Sequence, residues 1–448
     1  MIPVGNLAYK NNSEQIPMQR SFGFWRSWAL VVGSMIGNGI FLLPAVLAPY
    51  GSLSILGWLF SGIGTLLIAF MLGTLAKRNP KLGGPYAYTH MAFGDLPSFF
   101  VGWGHWVSYC SATAVGGIAF VAYLGFFVPQ LVEAPAMGAI IALAIIWIVT
   151  ALNISGTKSA GIFQLITTIL KLLPLFLIAG GGVILGDVGA IPVSNPHNES
   201  PVILISGLVI LTMWAFVGVE NVTIAADEVI EPEKTIPRAL FLGTLTAVAF
   251  YITATLGVMA LIPQAELAQS SSPFADAAVV LLGNWGGALV AGGAIVSIVG
   301  ALNGNVLTSG MLPRAIALDK LFPMRFANLN KAGSPAFSLV VAAAIASGLI
   351  VMNYTRGLLA AFEMLIVLST LTTLLPYAAS ALSEFVLQKR DAAAGRGLSY
   401  KTLIIALGAL LFSLFAIVGS GLDVAAYGLV LLAAGYPIYR LQKRKAVS

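Results

Sequence analysis

Two stretches interrupted by glycine and two charged residues carry most of the chemistry available to this chain. The first stretch reads Val32-Gly33-Ser34-Met35-Ile36-Gly37-Asn38-Gly39-Ile40-Phe41, with Pro44 and Pro49 beyond it; the second reads Trp214-Ala215-Phe216-Val217-Gly218-Val219-Glu220-Asn221. Both lie in apolar runs, where each glycine weakens a helix by about 1 kcal/mol relative to alanine, so a break is expected in each. An interrupted helix in lipid bares N–H groups at the start of one half and C=O groups at the end of the other, and hydrocarbon can satisfy neither. A zwitterion satisfies both. Its carboxylate would sit on the N–H groups of Gly37, Asn38 and Gly39, with Met35 and Ile36 alongside, at a helix N-terminus. Its ammonium would face the carbonyls around Phe216, Val217 and Gly218. Trp214 could gate that end or make a cation–π contact, although packing is the ordinary fate of a tryptophan deep in a membrane.

The plainer alternative for Gly33, Gly37 and Gly39 is close helix packing by small residues. Glu220 tips the balance, because a carboxylate at mid-membrane marks a functional site by default. Lys171, about ten residues into another apolar run, costs several kcal/mol unless it is paired, neutralised or snorkels to the cytoplasmic edge. Asn303 and Asn305 could line a cavity or bond between helices. For His105 a hydrogen-bonded packing role is favoured over a pH sensor.

The elements holding these residues are membrane spans. Of 448 residues, 58% are hydrophobic and 9% charged, against about 25% charged in a soluble domain. Apolar runs bounded by charge, Pro and Gly place crossings at about 28–49, 53–75, 97–128, 135–154, 160–186 and 203–229, then 238–262, 282–311, 337–353, 358–380, 401–420 and 423–440. With those spans, 21 of the 23 Lys and Arg fall in one alternating set of connecting segments, leaving Lys171 inside a span and Arg356 opposite. By the positive-inside rule both termini are cytoplasmic. The expected fold is an all-α membrane protein with twelve transmembrane helices. It divides into a cytoplasmic tail (1–25), a transporter domain (26–441) and a basic tail (442–448). Broken helices at equivalent positions of two five-span halves, about 28–186 and 203–380, point to inverted repeats with a midplane site, leaving two extra helices at about 401–440.

Other classes are excluded. A net charge of +6 is dealt out between apolar runs rather than gathered in a patch, so nucleic acid is no partner. One cysteine, Cys110, permits no internal disulfide, and His90, His105 and His197 are too scattered for a zinc motif. No cofactor or metal is expected. No H-E-x-x-H, G-x-S-x-G or phosphate-cradling loop speaks for an enzyme. The expected partners are an amino acid and membrane lipid, the latter at Lys443, Arg444 and Lys445; a homodimer stays open.

Four stretches carry a family resemblance. Gly37-Asn38-Gly39-Ile40-Phe41-Leu42-Leu43-Pro44 resembles the G-S/T-G-I/V-F-x-x-P signature of the amino acid, polyamine and organocation transporter superfamily, with Asn38 in the Ser/Thr place. Pro80-Lys81-Leu82-Gly83-Gly84-Pro85-Tyr86-Ala87-Tyr88 is similar to its P-x-x-G-G-x-Y-x-Y. Glu228 to Ala239 resembles its E-x-x-x-P-x-R/K-x-I/V-P-x-A, and Pro313 to Pro323 its A-x-D-G-L/Y-F-P, with Lys320 for the usual Gly. The resemblance implies two intertwined five-helix inverted repeats (the LeuT-like fold), alternating access, and amino acids or polyamines as substrates. It is nearest to the arginine/agmatine antiporter group, whose W-S-F-x-G-V-E is matched by Trp214 to Glu220 with Ala215 for Ser. It thereby implies a proton-coupling role for Glu220, and it puts Asn305 where that group has a substrate-stacking tryptophan. Lys171 resembles a fifth-helix lysine that stands where sodium-coupled relatives bind an ion. The function expected is sodium-independent amino acid transport, by exchange or proton coupling, with a polyamine or cationic amino acid antiporter as the alternative.

Overall fold

The computed structural model describes residues 23–37, 39–78, 84–156, 175–224, 229–395 and 397–447. Asn38, Lys171 and the Pro80–Gly83 part of the second motif lie outside them. Within them the chain is nearly all helix: α1 (Phe24–Met35), α2 (Leu43–Leu47), α3 (Ser54–Arg78), α4 (Gly84–Phe93), α5 (Asp95–Leu124), α6 (Gln130–Glu133) and α7 (Pro135–Ile154). Then come α8 (Leu175–Leu185), α9 (Pro201–Met213), α10 (Asn221–Ile224), α11 (Pro232–Leu261), α12 (Gln264–Leu267) and α13 (Pro273–Leu282). The chain ends with α14 (Asn284–Leu318), α15 (Ala336–Asn353), α16 (Leu358–Ala393), α17 (Tyr400–Val418), α18 (Gly421–Ala433) and α19 (Tyr436–Val447). An isolated antiparallel bridge joins Gly51 to Val193.

Nine helices among the described residues are long and apolar enough to cross a membrane: α3, α5, α7, α11, α14, α15, α16, α17 and the stretch Val424–Lys443. Each falls on an expected crossing. The remaining three expectations fall on α1 with α2, on α8, and on α9 with α10, all shorter pieces. The chain is thus a multi-pass membrane protein.

Helix α5 is the central post. Its residues are buried almost without interruption from Ser98 to Tyr123, and it packs on α14, α16, α7, α15 and α4. It carries Gly102, Gly104, Gly116 and Gly117 with several Ser and Thr, the small and polar types that let membrane helices approach closely. Helix α17 is the contrast: Ile404, Leu411 and Val418 are exposed, as an apolar surface can be against lipid.

Both expected breaks are present. Helix α1 stops at Met35, and Ile36 leaves the helical region at ψ 68°. Gly39 to Leu42 form a bend and a turn, and α2 begins at Leu43 with Pro44 in its first turn, where a missing N–H costs nothing. Helix α9 gives way to one 3-10 turn (Trp214–Phe216), then to extended Val217 and to Gly218 at φ 103°. A Cβ on Gly218 would lie 3.2 Å from Ser34 Cβ, so both the left-handed backbone and the close approach to α1 call for glycine.

Candidate substrate site between two broken helices

The two breaks face one another across a cavity of about 110 Å³. Its walls are one face from each of four elements. α1 and its break give Gly33, Ser34, Met35, Gly37 and Gly39; the second break gives Trp214, Val217, Gly218 and Asn221. Helix α5 adds Ser108, Tyr109 and Ala112, and α14 adds Gly300, Ala301, Gly304, Asn305 and Thr308. The α14 set repeats at i, i+1, i+4, i+5 and i+8, a single helical stripe. Two larger hollows lie elsewhere. One, of about 390 Å³, is bounded by Asp187, Pro192 and Gln264, and an open groove of about 410 Å³ runs between α8 and α11; neither touches a break.

The cavity mixes polar and apolar walls and carries no formal charge, for no acidic or basic side chain lines it among the described residues. Most of its hydroxyls are already engaged. Ser34 Oγ donates to Leu30 O at 2.7 Å, Thr308 Oγ1 to Gly304 O at 2.9 Å, and Ser108 Oγ to Ser369 O at 3.0 Å. Trp214 differs: its Nε1–H is buried without a hydrogen-bond partner among the described residues. A buried donor left so costs about 1–3 kcal/mol. The indole lies directly over the first break, where a Cβ on Gly39 would come within 2.6 Å of Nε1.

Glu220 sits beside the cavity rather than on its wall. It is wholly buried, and its Oε2 accepts from the Tyr377 hydroxyl at 2.6 Å and from Gly218 N–H at 3.1 Å. Oε1 lies 3.1 Å from His105 Nε2. One cavity-lining peptide, Gly218, thus connects the carboxylate to the space a guest would fill.

Of the residues singled out from sequence, Met35, Gly37, Gly39, Trp214, Val217, Gly218 and Asn305 line the cavity. Ile36 and Phe216 do not: both are wholly buried in the core, and Phe216 packs edge-on against Trp58 and Tyr251. The two asparagines separate, with Asn305 on the cavity and Asn303 accepting from Asn153 Nδ2 at 2.8 Å in an interhelical bond. His105 is hydrogen-bonded, as its favoured reading has it, but to Glu220. Ser108 and Tyr109 carry no signal in the sequence, since nothing local distinguishes the inward face of α5.

Away from the cavity, two of the resemblance motifs touch. Tyr86 in α4 donates a 2.8 Å hydrogen bond to Asp319 Oδ2 at the end of α14. Burial first, and then Asp319, pushes the Tyr86 phenol well above its ordinary range. Lys320, in the place where the resembling motif has glycine, adopts φ 62°, the left-handed region that favours glycine.

Residues 22–426 match the family model described as amino acid permease. Among curated proteins the chain is 30% identical over 463 residues to the putative arginine/ornithine antiporter of Bacillus subtilis (strain 168), covering 95% of this chain and 98% of that protein. It is 32% identical over 368 residues to the cadaverine/lysine antiporter of Escherichia coli (strain K12), covering 80% and 82%. With the putrescine transporter PotE of Haemophilus influenzae it shares 29% over 413 residues, covering 92% and 94%. A central cavity between two interrupted helices, and a family match running almost from end to end, lead to one conclusion: this chain belongs to the amino acid permease family.

Proposed function

We propose that the protein is a sodium-independent amino acid transporter, an exchanger or proton-coupled, working by alternating access across the cell membrane. One observation carries the reading: two interrupted helices meet at a small cavity, with Gly37 and Gly39 of one break and Trp214, Val217 and Gly218 of the other on its walls. Met35, Gly37, Asn38, Gly39, Trp214, Val217, Gly218 and Asn305 hold the substrate, with Ile36 and Phe216 setting the backbone behind them. Glu220 couples transport to protons, and Lys171 does the work of a sodium ion. The architecture proposed is twelve helices in two inverted five-helix repeats, about 28–186 and 203–380, followed by two extra helices at about 401–440, with both termini cytoplasmic. The breaks support it by falling in the first span of each half, and the sorting of Lys and Arg supports the orientation.

A second reading, a polyamine or cationic amino acid antiporter, is favoured by the names of the three relatives. Against it, a second ammonium would want a carboxylate, and among the described residues none lines the cavity while both Glu220 oxygens are engaged.

Thermal stabilisation of the purified protein by each of the twenty amino acids, putrescine and cadaverine separates the readings, since a ligand selective for the folded state raises apparent stability. Stabilisation by amino acids, followed by their uptake into proteoliposomes at the same rate in choline as in sodium, is the expected result. Stabilisation by diamines alone selects the second reading. A strict sodium requirement removes the role given to Lys171, and no stabilisation and no uptake by any of them overturns the transport reading.

A further inference from the structure

The cavity explains the position of Glu220 but not that of its neighbour. His105 in α5 is 2% exposed, and Tyr109 one turn on stacks over its ring with centroids 4.9 Å apart. The groups facing the His105–Glu220 pair come from three directions. Tyr377 reaches it from α16 and Gly218 N–H from the second break, while α5 itself contributes Tyr109, whose hydroxyl lies 3.5 Å from Asn221 Oδ1. Tyr88 of α4 meets the adjacent Thr223. No hydrogen bond or ion pair joins either residue to a further charged side chain among the described residues.

We propose that His105 and Glu220 form a single proton-holding unit, so that the proton response of the site belongs to the pair and not to the carboxylate alone. This rests on the transport reading above. With one proton the pair is neutral overall, as imidazolium with carboxylate or as imidazole with carboxylic acid. The proton passes between Nε2 and Oε1 along the 3.1 Å contact without changing that sum. Losing it to water leaves one negative charge in a dry interior, a costly state that a substrate ammonium at the Val217 and Gly218 carbonyls offsets. Gly218 links the two events, since its N–H holds Glu220 while its backbone lines the cavity. Proton and ammonium then stabilise the site in alternation. His105 does not line the cavity, and it is therefore a positioning residue acting through Glu220.

The first test needs no substrate. The chain has three histidines, His90, His105 and His197, so NMR of the full-length protein with isotope-labelled histidine follows each one. His105 is assigned by elimination with His90→Gln and His197→Gln. Two sites coupled as proposed interact by more than about one pH unit, so the His105 titration should move by at least that much in Glu220→Gln; an unmoved curve overturns the proposal. The second test is counterflow of L-arginine and of L-alanine in proteoliposomes. The amide of His105→Gln still donates to Glu220 but does not titrate in this pH range. A pH profile displaced by about one unit supports the shared proton, whereas a profile superimposable on wild type overturns it even if the rate falls. If wild type exchanges neither probe, the transport reading is what suffers, and the NMR coupling still decides the pair.

Discussion

The Tyr377 hydroxyl donates to Glu220 Oε2 at 2.6 Å, tying α16 to the second helix break across 157 residues of chain. Neither residue is exposed, so the bond cannot be replaced by water without opening the bundle. Tyr377→Phe keeps the ring and removes the donor. It should lower stability by about 1–3 kcal/mol, the cost of a less satisfied buried acceptor. Thermal unfolding of the purified variant measures this; an unchanged melting temperature would show that the bond contributes nothing net.

Gly39 and Trp214 leave no space between them. A methyl group at residue 39 would press on the indole at 2.6 Å from Nε1 and 2.8 Å from Cδ1. Overpacking of this kind costs about 1–3 kcal/mol. Because the indole is part of the cavity wall, Gly39→Ala should also abolish ligand-induced thermal stabilisation. The double variant Gly39→Ala with Trp214→Leu should recover part of the stability but not the ligand response. Full ligand response in Gly39→Ala would remove Trp214 from the site.

The Tyr86–Asp319 bond predicts an alkaline effect. Burial and Asp319 raise the Tyr86 phenol above its unfolded value of about 10. A group raised on folding contributes stability that is fully present below the unfolded pKa and is lost as pH rises through the folded one. Thermal stability should therefore fall above about pH 10, and less steeply in Tyr86→Phe than in wild type. Parallel curves would mean that Tyr86 plays no part in the alkaline loss. At neutral pH the same variant should lose about 1 kcal/mol through the missing hydrogen bond.

Lys320 holds a backbone conformation that suits glycine, φ 62°, at a strain of about 1–2 kcal/mol. Glycine relieves that strain but loses about 0.5–1 kcal/mol to its greater freedom when unfolded. Lys320→Gly should thus be neutral to mildly stabilising, while the β-branched Lys320→Val should destabilise by about 1 kcal/mol or more. The order of the two melting temperatures is the measurement, and Val above Gly would contradict the left-handed backbone.

The sequence by itself determined the membrane class, the apolar runs and both interruptions, because these follow from local composition. Gly37 and Gly39 ahead of Pro44, and Gly218 beside Glu220, weaken a helix wherever it packs. What only the tertiary structure decided is which side of each helix turns inward. Lipid is as apolar as a protein core, so a membrane helix carries little periodic contrast between its faces. Ser108 and Tyr109 therefore look no different in sequence from their neighbours. For the same reason Ile36 and Phe216, one residue from cavity-lining positions, turn into the core, and Asn303 parts from Asn305. The partnership of His105 with Glu220 spans 115 residues; it exists only because α5 runs through the middle of the bundle, close against the second break.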